Sequence, residues 1–86
     1  MTEQGTPRFA CPCCGYLTLD ARPPGTFDIC EVCRWEDDNV QFRDPGYEGG
    51  ANVVSLNDAR RNFEAHGVSE IRFADDVRPP RPEEQP

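Results

Sequence analysis

Cys11-Pro-Cys-Cys14 and, after fifteen intervening residues, Cys30-Glu-Val-Cys33 are the two stretches on which the folding of this chain turns. Within each pair, two residues separate the cysteines, so one tight turn can aim both sulfurs at a common point. Two such turns at this separation match the C-x2-C-x15-20-C-x2-C spacing of a four-thiolate metal site. Thiolate is a soft donor that suits zinc, whose filled d shell leaves geometry to ligand packing, and four sulfurs complete a tetrahedron. Cys11, Cys14, Cys30 and Cys33 are therefore the candidate ligands, with zinc as the cofactor and iron as the alternative.

The residues around these turns read as strands. Phe9 and Ala10 lead into the first pair, and Tyr16 to Asp20 leave it. Arg22-Pro-Pro-Gly-Thr26 is a turn in which Gly25 accepts the positive φ that a type II turn needs. Phe27 and Ile29 alternate with Asp28 as a third strand delivering Cys30. The expectation is a metal-bearing β-hairpin over residues 8–35.

Beyond it, residues 36–52 mix acidic residues with Asp44-Pro-Gly and Gly49-Gly50 and read as a long acidic loop. Ser55 then suits an N-cap, Asp58 follows three residues later, and Gly67 sits where a left-handed C-cap belongs. Leu56, Ala59 and Phe63 share one face at helical spacing, which predicts an amphipathic helix near 55–66 packed on the hairpin. Val68 to Phe73 reads as a further short strand or extended segment. The fold class expected is a small α+β domain over 8–74, with a zinc-ribbon hairpin, a long loop and one C-terminal helix. A disordered head (1–7) and a disordered proline-rich tail (75–86) flank it. Arg78-Pro-Pro-Arg-Pro82 has a second reading as a polyproline II ligand.

An 86-residue chain buries too little apolar surface to be comfortably stable by its core alone. The core candidates are Phe9, Leu17, Leu19, Phe27, Ile29, Val32, Trp35, Phe42, Val53, Val54, Leu56, Phe63, Val68, Ile71 and Phe73. Structural zinc contributes on the order of 10–16 kcal/mol of apparent binding energy in small peptides. That rivals the whole net stability of a domain, about 5–15 kcal/mol, so loss of the metal is expected to cost much of the tertiary structure.

Met1-Thr-Glu-Gln-Gly lacks the basic and apolar regions of a secretory signal, and no apolar run is long enough to cross a bilayer. The cytoplasm, where thiols stay reduced, is the expected compartment, and no membrane partner is expected. The formal charge is −7, concentrated in Glu36, Asp37, Asp38, Asp44 and Glu48, and a zinc tetrathiolate adds negative charge. Nucleic acid is thereby disfavoured as a partner. All nine basic residues are arginine, which reads as a GC-rich bacterial coding sequence or, alternatively, as selection against lysine modification.

Three further side chains have two readings each. Cys13, between two proposed ligands, is a bystander thiol or a reactive one. His66, in the last helical turn, packs or complements the carbonyl end rather than ligating. Trp35 with Glu36, Asp37 and Asp38 is either an indole packed over the hairpin beside solvated carboxylates or a patch for a protein partner. No acid, base and nucleophile stand at a spacing that supports catalysis, so the chain is not expected to be an enzyme.

Two family resemblances attach to these residues. Cys11-Pro-Cys-Cys-Gly-Tyr-Leu-Thr-Leu19, Asp28-Ile-Cys-Glu-Val-Cys33 with Trp35-Glu-Asp-Asp38, and Gly50-Ala-Asn-Val-Val-Ser-Leu-Asn-Asp-Ala-Arg-Arg-Asn62 resemble the CPCC-type cysteine-rich family of small, mostly bacterial, uncharacterised proteins. That resemblance implies metal binding and little more. Over the hairpin alone, Cys11-x-x-Cys14-Gly15-Tyr16 and Cys30-x-x-Cys33 are similar to rubredoxin, which implies an iron electron carrier. The chain departs from rubredoxin at Arg34, where a glycine is expected after the last cysteine, and in its helical C-terminal half.

Overall fold

The computed structural model describes residues 8–86, and the predicted head at 1–7 lies outside the described residues. Strands β1 (Phe9–Ala10) and β2 (Leu17–Leu19) form an antiparallel pair on either side of the first cysteine turn. Phe9 pairs with Leu19 and Ala10 with Leu17, so the register breaks around Thr18. An extra residue of this kind bends the strand and re-aims a side chain. Here the side chain is Thr18, which is buried.

The predicted third strand does not form. Phe27 to Ile29 is held by one antiparallel bridge, Ile29 to Glu36, and Phe27 itself has a left-handed φ of 58° that no strand accommodates. The turn before it matches expectation at Gly25, whose φ is +89°.

The segment expected as a long acidic loop contains a helix, α1 (Asn39–Arg43). Its start is set by Asp38, whose Oδ1 accepts from Val40 N at 2.7 Å and Gln41 N at 3.1 Å. An acid at the N-cap satisfies orphan amides and complements the dipole, a role that a run of three acids conceals when read as charge. The rest of the segment wraps around Gln41, which is fully buried. Its Nε2 donates to the carbonyls of Tyr47, Asn52 and Val54 at 3.0–3.1 Å, and its Oε1 accepts from Asn52 N and Nδ2. Gly50 has to be glycine here, because a Cβ would lie 2.7 Å from Asp38 Oδ2 and 2.9 Å from Gln41 Cδ.

Helix α2 (Leu56–His66) is as expected: Ser55 Oγ accepts from Asp58 N at 3.1 Å, and Gly67 caps the C-terminus at φ 76°. Leu56 and Ala59 are buried in a core that also contains Cys11, Cys13, Leu19, Cys30, Val32, Cys33 and Trp35. The cysteines are thus central to the core, and α2 covers them. Arg60 Nε reaches the Pro12 carbonyl in the first cysteine turn at 3.0 Å.

After α2 the chain forms a 3₁₀ segment, Ile71–Asp76, in place of the predicted strand. Val68 is buried, but Ile71 faces out, as do Phe27, Ile29, Phe42 and Val53 among the predicted core residues. Phe42 lies in the short helix α1 and Ile71 in the 3₁₀ segment, while Phe27 and Ile29 flank Asp28 in a segment held by a single bridge.

The proline-rich tail, expected to be disordered, is placed against the second cysteine turn and ends in a 3₁₀ turn, Pro82–Glu84. Arg78 supplies the reason. Its N–H donates to the Glu31 carbonyl, its Nε to Glu31 Oε1 at 2.9 Å, and its two terminal nitrogens to the Glu84 carboxylate at 2.9 and 2.7 Å. A forked charge-assisted pair of this type supplies directional binding that composition alone does not reveal. No helix among the described residues is long and apolar enough to cross a membrane.

Candidate metal centre

Each cysteine turn folds by the same local rule. In the first, Gly15 N donates to the Cys11 carbonyl at 2.8 Å and Cys11 N to the Tyr16 carbonyl at 2.9 Å. In the second, Arg34 N donates to the Cys30 carbonyl at 2.7 Å and Cys30 N to the Trp35 carbonyl at 2.9 Å. Both turns end on a left-handed residue, Gly15 at φ 83° and Arg34 at φ 73°. Glycine takes that conformation without cost, whereas an L side chain there costs roughly 1–2 kcal/mol. Arg34 keeps the glycine-like geometry nonetheless, with its guanidinium stacked 4.9 Å over the Phe73 ring, an attraction that offsets part of the strain.

The two turns bring the sulfurs of Cys11, Cys14, Cys30 and Cys33 within 4.8 Å of one another. Cys11 Sγ lies 3.6 Å from Cys33 Sγ, and Cys14 Sγ 3.7 Å from Cys30 Sγ. A tetrahedron with metal–sulfur bonds of about 2.3 Å has edges of about 3.8 Å. Both separations match that edge and are far longer than a disulfide bond of about 2.05 Å. All five cysteines are free thiols. The donor set could hold a metal ion, and its softness and count fit zinc or iron alike.

Protons alone do not make this cluster comfortable. The Cys30 thiol is held far below its ordinary value by Cys11 first, then Cys14 and Cys33, with Thr18 adding a hydrogen bond. Cys11 and Cys33 are pushed far up, Cys11 first by Cys14 and Cys33 first by Cys11. Cys14 is drawn down by Cys11 but ends well raised, because Cys30, Cys33 and burial act the other way. Three thiols this close stabilise the fourth as a thiolate by donating to it and resist a second negative charge. A divalent cation removes that resistance, which is why metal binding at such a site releases protons.

Three donors steady the sulfurs from outside. Thr18 Oγ1 donates to Cys30 Sγ at 3.0 Å, Cys13 N to Cys11 Sγ at 3.4 Å and Trp35 N to Cys33 Sγ at 3.5 Å. Thr18 was not picked out by the sequence reading. No local signal marks it, because strand alternation would turn Thr18 away from the core face that Leu19 occupies, and only the register break at Thr18 aims the hydroxyl at Cys30.

The model of the family described as "Cysteine-rich CPCC" matches residues 9–84. The chain belongs to the cysteine-rich CPCC family. The match spans both cysteine turns, α2 and the docked tail, so the family pattern covers the whole of the described architecture apart from its ends. No curated protein matches the chain.

The remaining candidates fall elsewhere. Cys13 is buried beside the cluster rather than exposed for reaction, and His66 is exposed at the end of α2. The expected partner patch is largely internal, which corrects that reading. Trp35 sits fully enclosed in the core, and Asp37 is fully buried with Oδ2 accepting from Thr26 N and Oγ1 at 3.0 and 2.8 Å. Asp38 is engaged as the α1 cap and accepts from Ala51 N at 2.9 Å. Burial pushes the Asp38 carboxyl up, yet the amides of Ala51, Gln41 and Val40 together hold it below its usual range. Only Glu36 of the four keeps partial access to solvent. The run of acids after Trp35 is therefore fold-making first.

Proposed function

We propose that this CPCC protein is a small cytoplasmic zinc-binding domain whose four-cysteine site is structural, and that it serves as a protein-interaction or adaptor module. The observation that carries the metal reading is the convergence of Cys11, Cys14, Cys30 and Cys33 at tetrahedral-edge separations from two turns of matching geometry. Four protein donors close the coordination sphere, and a closed zinc site supports folding rather than chemistry on a substrate. The cluster lies inside the core, so the ion would link β1, β2 and the second turn under α2. A protein surface is the favoured partner, since a net charge of −7 disfavours phosphate backbones.

A rubredoxin-like iron electron carrier is the second reading. Cys14 favours it, being the one cysteine of the four that is only partly buried and so a possible exit for an electron. A thiol–disulfide protein is a third and weaker reading, because it needs a metal-free pair.

Elemental analysis of protein from its native host, with thiol counting, separates the three. One equivalent of zinc and no rapidly alkylated cysteine is the expected result. A red protein with one iron would replace the first reading by the second. Chelation is expected to collapse amide dispersion in the NMR spectrum, and unchanged spectra after verified metal removal would refute the structural role.

A further inference from the structure

The Phe27–Ile29 segment stands out because the Ile29 backbone and the side chains of Phe27 and Ile29 face solvent together. Ile29 bridges to Glu36 as the narrow, non-hydrogen-bonded kind of antiparallel pair, flanked by Asp37 N to the Asp28 carbonyl and Cys30 N to the Trp35 carbonyl. In such a pair both residues turn their N–H and C=O away from each other. On the Glu36 side the Asn52 amide takes both, accepting from Glu36 N at 2.9 Å and donating to its carbonyl at 2.8 Å, as a neighbouring strand would. On the Ile29 side, among the described residues, neither group has a hydrogen-bond partner. The result is one rung of an open sheet edge.

The side chains beside that rung are apolar and held outward. Phe27 is 51% exposed and Ile29 46% exposed. Phe27 stands at φ 58°, a conformation disfavoured for every residue but glycine. It is kept there by its own N–H on the Asp37 carbonyl, by Asp37 Oδ2 gripping Thr26, and by Asp28 N on Thr26 Oγ1 at 3.1 Å. The exposed half of the residue adds nothing to folding, and glycine would satisfy the backbone better.

Charge decides what would fit. Asp28 lies on the edge and Glu36 across the bridge, both partly accessible, and neither forms an ion pair among the described residues. No basic residue occurs from Pro23 to Cys33. A second copy pairing edge to edge would set these carboxylates against each other, which is unfavourable. A basic strand would meet complementary charge.

We propose that the Phe27–Ile29 edge docks an extended segment of a partner protein that alternates apolar and basic side chains. Main-chain hydrogen bonds would form to Ile29, apolar residues would cover Phe27 and Ile29, and the arginine or lysine between them would reach Asp28 on the opposite face, as in strand addition. This deepens the interaction-module reading and rests on it, while replacing Trp35, Asp37 and Asp38 by residues that a partner can touch.

The test uses the full, zinc-loaded chain labelled with nitrogen-15 and three capped octapeptides. One alternates valine with arginine, one has the same composition in two blocks, and one alternates valine with glutamate. The alternating basic peptide is expected to shift the amides of Asp28, Ile29 and Cys30 first and to slow exchange of the Ile29 amide at least tenfold. Phe27→Gly and Asp28→Lys should each weaken it tenfold or more, with zinc stoichiometry unchanged and with no loss of thermal stability for Phe27→Gly. Equal binding by the block peptide, no response at millimolar peptide, or edge amides that move with protein concentration alone would each overturn the proposal. A folded, zinc-loaded chain that ignores the peptide defeats only this inference, whereas a chain folded without metal defeats the structural-zinc reading instead.

Discussion

Gln41→Leu is the substitution that most directly probes how the acidic half of the molecule is held together. Leucine is close in size, so the change leaves little void and isolates the loss of hydrogen bonds. The Tyr47 and Val54 carbonyls lie where water can partly replace the amide, but Asn52 is buried, and its N–H and C=O both lose their partner. Each buried orphan costs about 1–3 kcal/mol, and the better transfer of leucine returns about half of that sum. The net is a destabilisation of about 1–3 kcal/mol, which in a domain of this size lowers the melting temperature by at least about 4 °C. Urea unfolding at saturating zinc measures it, with an unchanged slope showing that the states compared are the same. Gln41→Glu is the sharper companion, because its carboxylate would face three carbonyls with no N–H to offer, and it should cost more than leucine. The reasoning fails if Gln41→Leu lies within about 0.5 kcal/mol of the wild type, the range of an ordinary surface change, or if glutamate is the milder replacement.

Other expectations follow from the same geometry. Arg34→Ala keeps the left-handed strain and loses the stack on Phe73, whereas Arg34→Gly loses both, so alanine should be less stable than glycine by about 1 kcal/mol. Equal unfolding midpoints would contradict that. Thr18→Val removes the hydroxyl that donates to Cys30 Sγ and should weaken zinc affinity about 10- to 100-fold in a chelator competition while leaving one ion bound. The Glu84 carboxyl is lowered to about 2, by Arg78 first, from an ordinary value of 4.5. Its folded value lies below its unfolded one, so the docking it supports is present above about 4.5 and is lost as the pH falls toward 2. Discounted for the solvent that reaches Arg78, the effect is about 1–2 kcal/mol of tail docking. Arg78 side-chain resonances report it, and at neutral pH Glu84→Gln should reproduce the undocked spectrum.

Local patterns that need only their neighbours were legible from the residues. The cysteine spacing located two turns that do converge, Ser55, Asp58 and Gly67 marked both ends of α2, and Gly25 marked the turn before Phe27. What misled was meaning assigned by composition. Asp37 and Asp38 looked like solvated charge because three acids run together, yet one is gripped by Thr26 and the other caps α1. Phe27 and Ile29 looked like core because they are apolar and alternate, but nothing packs over that edge.

The sequence by itself determined the elements whose hydrogen bonds close within a few residues: turns of two spacer residues, a capped helix, and a glycine at positive φ. Only the tertiary structure decided the Gln41 hub, the Arg78 latch on Glu31 and Glu84, the Thr18 hydroxyl on Cys30 and the glycine-like backbone of Arg34. Except for Arg34, these join groups from six to forty-seven positions apart in the chain. Such contacts depend on where the whole backbone has been brought, and no local pattern of residue types specifies that.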